Sequence, residues 1–79
     1  MKKKNPKAKK VKECLKFGQR LKYLREEMEM TQERLSEKSE VHRTYISGLE
    51  CGDRNPSLTM ICALSKALKV SVSELTEGL

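Results

Sequence analysis

Apolar side chains recur every three or four residues from Cys14 onward, and this spacing constrains the fold more than any other feature of the sequence. The positions that share one side of the first such segment are Leu15, Gly18, Leu21, Tyr23, Leu24 and Met28. A spacing of three or four indicates an amphipathic α-helix, whereas a half-buried strand alternates apolar and polar residues. No stretch of the sequence alternates in that way, so the pattern predicts an all-α chain.

Residues that begin and end helices divide this periodic region into short segments. Thr31 and Ser57 are good N-caps for a second and a fourth helix, because their hydroxyls can accept hydrogen bonds from first-turn N–H groups. Ser71 and Glu74 form the S-x-x-E capping box of a last helix. Gly52 ends the third helix, since glycine readily adopts the left-handed conformation found at helix ends. The sequence therefore predicts five helices in one small domain.

The excess positive charge of the chain is confined to its N-terminus. Residues 1–12 contain seven lysines and no acid, whereas residues 13–79 contain ten basic and eleven acidic residues. Dense like charges without apolar periodicity predict a disordered lysine-rich arm over residues 1–12, followed by the folded domain over residues 13–79. Three interpretations of the arm stay open: a solvated tail, a segment that follows DNA phosphates, and a targeting signal.

Cysteine, histidine and apolar content exclude several classes of protein. The three cysteines are widely spaced and His42 is the only histidine, so we expect no metal site, and reduced thiols as in the cytoplasm. The longest apolar run, residues 60–64, is too short for a membrane span. No base and nucleophile are suitably paired, so we expect neither an enzyme nor a bound cofactor.

Residues 42–51 carry the strongest functional signal. On a helical wheel Arg43, Thr44 and Ser47 share one third of the circle, and Cys51 joins them. The opposite side is apolar and consists of Tyr45, Ile46 and Leu49. Short polar side chains let a helix approach a surface closely, and an arginine can donate to both O6 and N7 of guanine. The pattern is typical of a helix that reads bases in the major groove of DNA.

Polar residues before and after this helix extend the predicted DNA-binding surface. Thr31 and Gln32 begin the preceding helix, where unpaired backbone N–H groups attract a phosphate. Arg54 and Asn55 follow the reading helix, where the chain would meet the DNA backbone again. We therefore predict that double-stranded DNA is the partner.

The sequence resembles the Cro and phage-repressor class of helix-turn-helix proteins, also called the xenobiotic-response-element-like family. The resemblance rests on "TQERL", on "VHRTYISGLECGDRNPSL" and on "LSKALKVSVSEL", and it covers Leu21 to Gly78. It implies a compact five-helix bundle of the lambda-repressor type whose second and third helices bind DNA.

Matched position by position, the family's motif implies roles for named residues. Gln32 matches an anchor on a DNA phosphate, and Arg43 and Thr44 match the first reading positions of the recognition helix. Ser47 and Gly48 match later reading positions. Because Gly48 has no side chain, the protein either reads fewer bases there or lets another group fill the space.

The resemblance also implies one structural ion pair and shows three departures from the family pattern. Arg25 and Glu50 match a pair that ties the first helix to the third. Glu29 and Glu40 stand where the family usually has glycine, and a positive φ at such a residue costs about 1 kcal/mol. His42 stands where a serine, threonine or aspartate N-cap is usual.

The segment "RTYISGLE" resembles most the controller proteins of restriction–modification systems. That resemblance implies a homodimer that binds operators upstream of its own gene and of the endonuclease gene, activates or represses according to its concentration, and contacts RNA polymerase. Tyr45 and Arg54 match positions that contact DNA in that group. A phage-type repressor, or an antitoxin that binds DNA and a protein partner, shares most of the motif and stays an alternative.

Apolar residues near the C-terminus predict where two copies would meet. One small helix-turn-helix unit binds DNA weakly, whereas two units related by a two-fold axis read half-sites about 34 Å apart. Val72, Leu75 and Leu79 are therefore predicted to form the dimer interface with the fourth helix. The alternative for Val72 and Leu75 is that they pack in the core of a single copy.

Overall fold

The computed structural model describes residues 11–79, which fold into five helices. These are α1 (Lys12–Glu27), α2 (Gln32–Ser39), α3 (Arg43–Glu50), α4 (Leu58–Leu68) and α5 (Val72–Leu75). No residue of this range forms a strand, so the predicted all-α five-helix architecture is confirmed. Within the same range, every helix is too short or too polar to cross a membrane.

The hydroxyls predicted as N-caps all accept a hydrogen bond from a first-turn N–H group. Thr31 accepts from the backbone nitrogen three positions later at 3.0 Å, and Ser57 does the same at 3.2 Å. At α5, Ser71 accepts from the Glu74 nitrogen at 3.0 Å while the Glu74 carboxylate accepts from the Ser71 nitrogen at 3.0 Å. The predicted starts of α2, α4 and α5 are therefore confirmed.

The first helix begins at the margin of the predicted arm. Its N-cap, Val11, has extended backbone and makes no side-chain cap bond. Lys12, placed in the arm by the sequence pattern, is the first residue of α1. The rest of the predicted arm, residues 1–10, lies outside the described residues.

A leucine-rich core joins all five helices. Its fully buried side chains are Leu21, Leu35, Ile46, Leu49, Leu64, Leu68 and Leu75. Each such burial contributes about 1.5–3 kcal/mol to folding. Because Ile46 and Leu49 belong to α3, the helix predicted to read DNA is fixed to the domain along its apolar side.

The inward face of α1 only partly matches the predicted one, because Gly18 and Leu21 are buried as predicted but other predicted positions are exposed. Leu15, Tyr23 and Met28 stay 38%, 53% and 42% exposed. The residues that α1 buries are Cys14, Phe17, Gly18, Leu21 and Arg25. A Cβ at Gly18 would lie 2.2 Å from the Leu49 carbonyl oxygen, so α1 and α3 touch backbone to backbone on this face. That close approach sets the rotation of α1, and apolar spacing alone does not reveal it.

Residues other than glycine adopt a positive φ at the ends of three described helices. The φ angle is +55° at Glu29, +64° at Glu40 and +58° at Lys69. The two glutamates occupy the positions where the family usually has glycine, and each costs about 1 kcal/mol of strain there. Glu40 is the C-cap of α2, so its left-handed conformation sets the turn into α3.

The apolar residues predicted at the dimer interface divide between core and surface. Leu75 is fully buried because α5 packs it against α1 and α4, so it has no surface left for a second copy. This corrects the prediction for Leu75. Val72 and Leu79 stay 38% and 53% exposed. Leu58, the first residue of α4, is 72% exposed.

Candidate nucleic-acid interface

The second and third helices form a helix-turn-helix unit that presents polar side chains to solvent. Residues 40–42 join the helices, and the buried side of α3 anchors it. Arg43 and Thr44 are exposed and Ser47 is half-buried. The eight residues of α3 span about 12 Å, and a major groove about 12 Å wide admits such a helix.

His42 caps α3 in place of the usual hydroxyl or carboxylate. Its Nδ1 accepts a hydrogen bond from the Thr44 backbone nitrogen at 3.2 Å and lies 2.7 Å from Thr44 Oγ1. The imidazole thus satisfies a first-turn N–H group that has no partner within the helix. The cap fixes Arg43 and Thr44 at the end of α3 that is open to solvent.

A buried ion pair ties α3 to α1. Arg25 donates from Nε and Nη2 to the two carboxylate oxygens of Glu50 at 2.6 and 3.0 Å, and from Nη1 to the Met30 carbonyl oxygen at 2.6 Å. Hydrogen bonding to Glu50 raises the pKa of the Arg25 guanidinium and outweighs the desolvation that lowers it. The structure thus contains the pair that the resemblance implies, and this two-point contact orients the C-terminal end of α3.

Gln32 belongs to the same network. Its Nε2 donates to Glu50 Oε1 at 2.9 Å, so the amide that was predicted to anchor on a phosphate also braces the ion pair. Beside it lies a shallow depression whose lining includes Thr31, Glu33 and Arg43. The N-terminal ends of α2 and α3 therefore open onto one surface. The first-turn N–H groups of α2 can bind a phosphate there, beside the Arg43 guanidinium.

Arg54 lies against α3 in the space that Gly48 leaves. An ideal Cβ at Gly48 would lie 2.7 Å from Arg54 Cγ and 3.3 Å from Nε. The guanidinium carbon of Arg54 is 5.1 Å from the centroid of the Tyr45 ring, which is cation–π range. Tyr45 also donates a long hydrogen bond of 3.4 Å from its hydroxyl to the Asn55 carbonyl oxygen. Arg54 is therefore the group that fills the place of a side chain at position 48.

The sequence indicated Tyr45, Gly48 and Arg54 as residues near DNA, but it did not predict the contacts among them. It placed Tyr45 on the apolar side of the helix and Arg54 beyond its end, whereas the structure brings both together at Gly48. A signal was present in the sequence, because a glycine occupies a reading position and an arginine follows six residues later. Only the path of the chain after Gly52 shows that the arginine returns to that position.

Comparison with known proteins agrees with this geometry. A helix-turn-helix family matches residues 21–75, which include both helices of the unit and the core that supports them. The chain therefore belongs to the helix-turn-helix family. Within it, the control protein C.BamHI of Bacillus amyloliquefaciens is 44% identical over 62 residues, which cover 77% of this chain and 76% of that protein.

Two solved structures show the same fold at similar identity. The restriction–modification controller protein C.AhdI from Aeromonas hydrophila has a TM-score of 0.80 and 42% identity, over 82% of this chain and 98% of that chain. The controller protein C.Esp1396I, as a tetramer in complex with its natural 35 base-pair operator, has a TM-score of 0.73 and 39% identity. That match covers 77% of this chain and 80% of the other.

Proposed function

We propose that this protein is a sequence-specific DNA-binding transcriptional regulator that controls a restriction–modification system. The observation that carries the proposal is the outward side of α3, where Arg43 and Thr44 are exposed and Arg54 takes the place of a side chain at Gly48. The similarity to C.BamHI and C.AhdI over most of the chain supports the controller role. Such a regulator acts in the cytoplasm, without catalysis, metal or cofactor.

Three side chains of α3 read base edges in this proposal. Arg43 donates to O6 and N7 of a guanine, and the Thr44 methyl and hydroxyl reach the neighbouring base. Ser47, one turn further along, approaches from its half-buried position. The short side chains of Thr44 and Ser47 allow the helix to lie deep in the groove.

Side chains on either side of α3 contact the DNA backbone and fix the register. Gln32 and the N-terminus of α2 bind a phosphate on one side. Tyr45, Arg54 and Asn55 approach the DNA from the other side, and the ring of Tyr45 holds the Arg54 guanidinium in position. Arg54 can also contact a base next to the one that Arg43 reads.

Two copies bind one operator, because a single unit of this size offers few contacts. Three of the exposed apolar side chains belong to the region proposed for the two-fold interface, namely Val72 in α5, Leu79 after it and Leu58 at the start of α4. The tetramer of C.Esp1396I on a 35 base-pair operator supports assembly of this kind. The operators lie upstream of the protein's own gene and of an endonuclease gene, where the bound regulator also contacts RNA polymerase.

The proposal is tested by competition binding on the duplex immediately upstream of this protein's gene. The wild type should bind it far more tightly than an unrelated duplex at about 0.15 M salt, since affinity depends strongly on salt. Arg43→Ala should lose about 10- to 100-fold of this affinity, as expected for a bidentate base contact. Lys16→Ala, which removes an exposed cation of α1, is the matched control. Equal affinity for both duplexes, or no effect of Arg43→Ala, would contradict the proposal.

A further inference from the structure

The contact between His42 and Thr44 fixes the position of a proton at the start of α3. His42 Nδ1 lies 3.2 Å from the Thr44 backbone nitrogen, whose hydrogen points toward it. A backbone N–H group can only donate, so Nδ1 presents its lone pair and a neutral imidazole carries its proton on Nε2. His42 is therefore an acceptor on the side that faces Thr44.

The same contact determines the direction of the Thr44 hydroxyl. Thr44 Oγ1 lies 2.7 Å from Nδ1, a distance that requires a hydrogen between the two atoms. Because Nδ1 holds no hydrogen, the hydroxyl donates its own. A hydroxyl has one hydrogen and two lone pairs, so the exposed Thr44 side chain offers only lone pairs to an outside partner.

We infer that His42 determines base specificity by holding the Thr44 hydroxyl as a hydrogen-bond acceptor. This inference rests on the proposed function, in which Thr44 reads a base. A freely rotating hydroxyl can donate to an acceptor of guanine, thymine or adenine, or accept from the amino group of adenine or cytosine. A hydroxyl already committed to Nδ1 can only accept, from the exocyclic amino group of adenine N6 or cytosine N4. On the strand that it contacts, Thr44 therefore selects adenine or cytosine.

Substitutions at position 42 separate this role from simple capping. His42→Ala removes the acceptor, so the Thr44 hydroxyl rotates freely and can donate to guanine or thymine. His42→Asp keeps an acceptor for both the N–H group and the hydroxyl, and it is also a good N-cap. The aspartate variant should therefore preserve the wild-type base preference at the Thr44 position.

The test begins by selecting tight-binding duplexes from a library with randomised half-sites. Each adenine of the selected site is then replaced by purine, and each cytosine by 2-pyrimidinone, because these analogues lack only the exocyclic amino group. At one position in each half-site, the analogue should lower the affinity of the wild type about three- to tenfold, as expected when one hydrogen bond is removed. The affinity of Thr44→Val should not change when the analogue is placed at that position. His42→Ala should also bind duplexes with guanine or thymine there.

A measurement on the free protein provides an independent check, since His42 is the only histidine in the chain. Long-range proton–nitrogen correlation spectra at about pH 8, above the range in which imidazoles usually take up a proton, report which ring nitrogen is protonated. Nδ1 should be the unprotonated nitrogen, and its chemical shift should change in Thr44→Val. A protonated Nδ1 would overturn the inference, and circular dichroism verifies that each variant is folded.

The outcomes distinguish failure of this inference from failure of the proposed function. An Arg43-dependent operator with no position sensitive to loss of an amino group would overturn the role of His42 alone. A His42→Ala variant that retains the wild-type base preference would also overturn that role and leave the proposed function intact. A selection that enriches no sequence would overturn the proposed function and this inference together.

Discussion

Arg25 and Glu50 are oppositely charged side chains that the fold largely removes from water, with 11% and 4% of their side chains exposed. Arg25→Met would leave the Glu50 carboxylate without its charge partner. We expect it to lower the free energy of unfolding by about 3–5 kcal/mol, as for other buried pairs broken on one side. Urea unfolding of the wild type and the variant measures this change.

The chain offers a matched control in the exposed pair Arg34–Glu37, whose side chains are 56% and 68% exposed. Arg34→Ala breaks an ion pair of similar length, 3.0 Å, that lies on the exposed surface. The resulting decrease in stability should be below about 1 kcal/mol. Equal decreases in the two variants would show that burial is not what makes the Arg25 pair important.

At the scale of the helix, a substitution at Gly48 is expected to lower DNA affinity without lowering stability. In Gly48→Ala the new Cβ would displace the flexible Arg54 side chain, while alanine favours a helix by about 1 kcal/mol over glycine. We expect unchanged or higher stability, together with a DNA affinity about three- to tenfold lower because Arg54 loses its position. Thermal unfolding and operator binding of the same preparation test both parts.

Gly18→Ala is the contrasting variant. There the new Cβ would meet the backbone oxygens of Leu49 and Glu50 at 2.2 and 2.8 Å, and neither can move without shifting α3. We expect a loss of stability of about 3 kcal/mol or more. Similar stability changes at Gly18 and Gly48 would contradict the proposed packing of α3.

Local patterns in the sequence predicted most of the helices, because each helix start depends on residues within one turn. Thr31, Ser57 and the Ser71–Glu74 box act locally, and all three function as predicted. The inward face of α1 and the position of Arg54 depend instead on contacts between distant segments, namely Gly18 with α3 and Gly48 with the loop that follows it. Contacts between distant segments do not produce a repeating pattern in the sequence.

At the scale of the whole molecule, Val72 on α5 tests the proposed two-fold interface. Val72→Asp places a charge on an exposed apolar residue at the first position of a helix, where an acid is compatible with folding. We expect the variant to sediment as a monomer at concentrations where the wild type is a dimer, with unchanged unfolding. Ser73→Asp, which adds the same charge at the next exposed position, is the control. A dimer that persists in Val72→Asp would show that the two-fold interface does not include Val72.

We predict that the lysine-rich arm, residues 1–12, contributes to DNA binding through its charge. We expect Lys2, Lys3 and Lys4 to neutralise DNA phosphates, so their replacement by glutamine should reduce the slope of log affinity against log salt. Removing one neutralised phosphate lowers the magnitude of that slope by about 0.9. The bound sequence should not change, because phosphate contacts carry no base information. An unchanged slope would show that these three lysines do not neutralise DNA phosphates.

If α3 reads an operator as part of a symmetric pair of copies, the protein should leave a footprint on the DNA upstream of its gene. At about 0.15 M salt we predict two protected half-sites whose centres lie about 10 base pairs apart, one helical turn of DNA. At the lowest protein concentration that gives the full wild-type footprint, Arg43→Ala should lose the protection in both half-sites, while Lys16→Ala should leave it intact. Absent protection, or protection by Arg43→Ala at that concentration, would contradict operator recognition by α3.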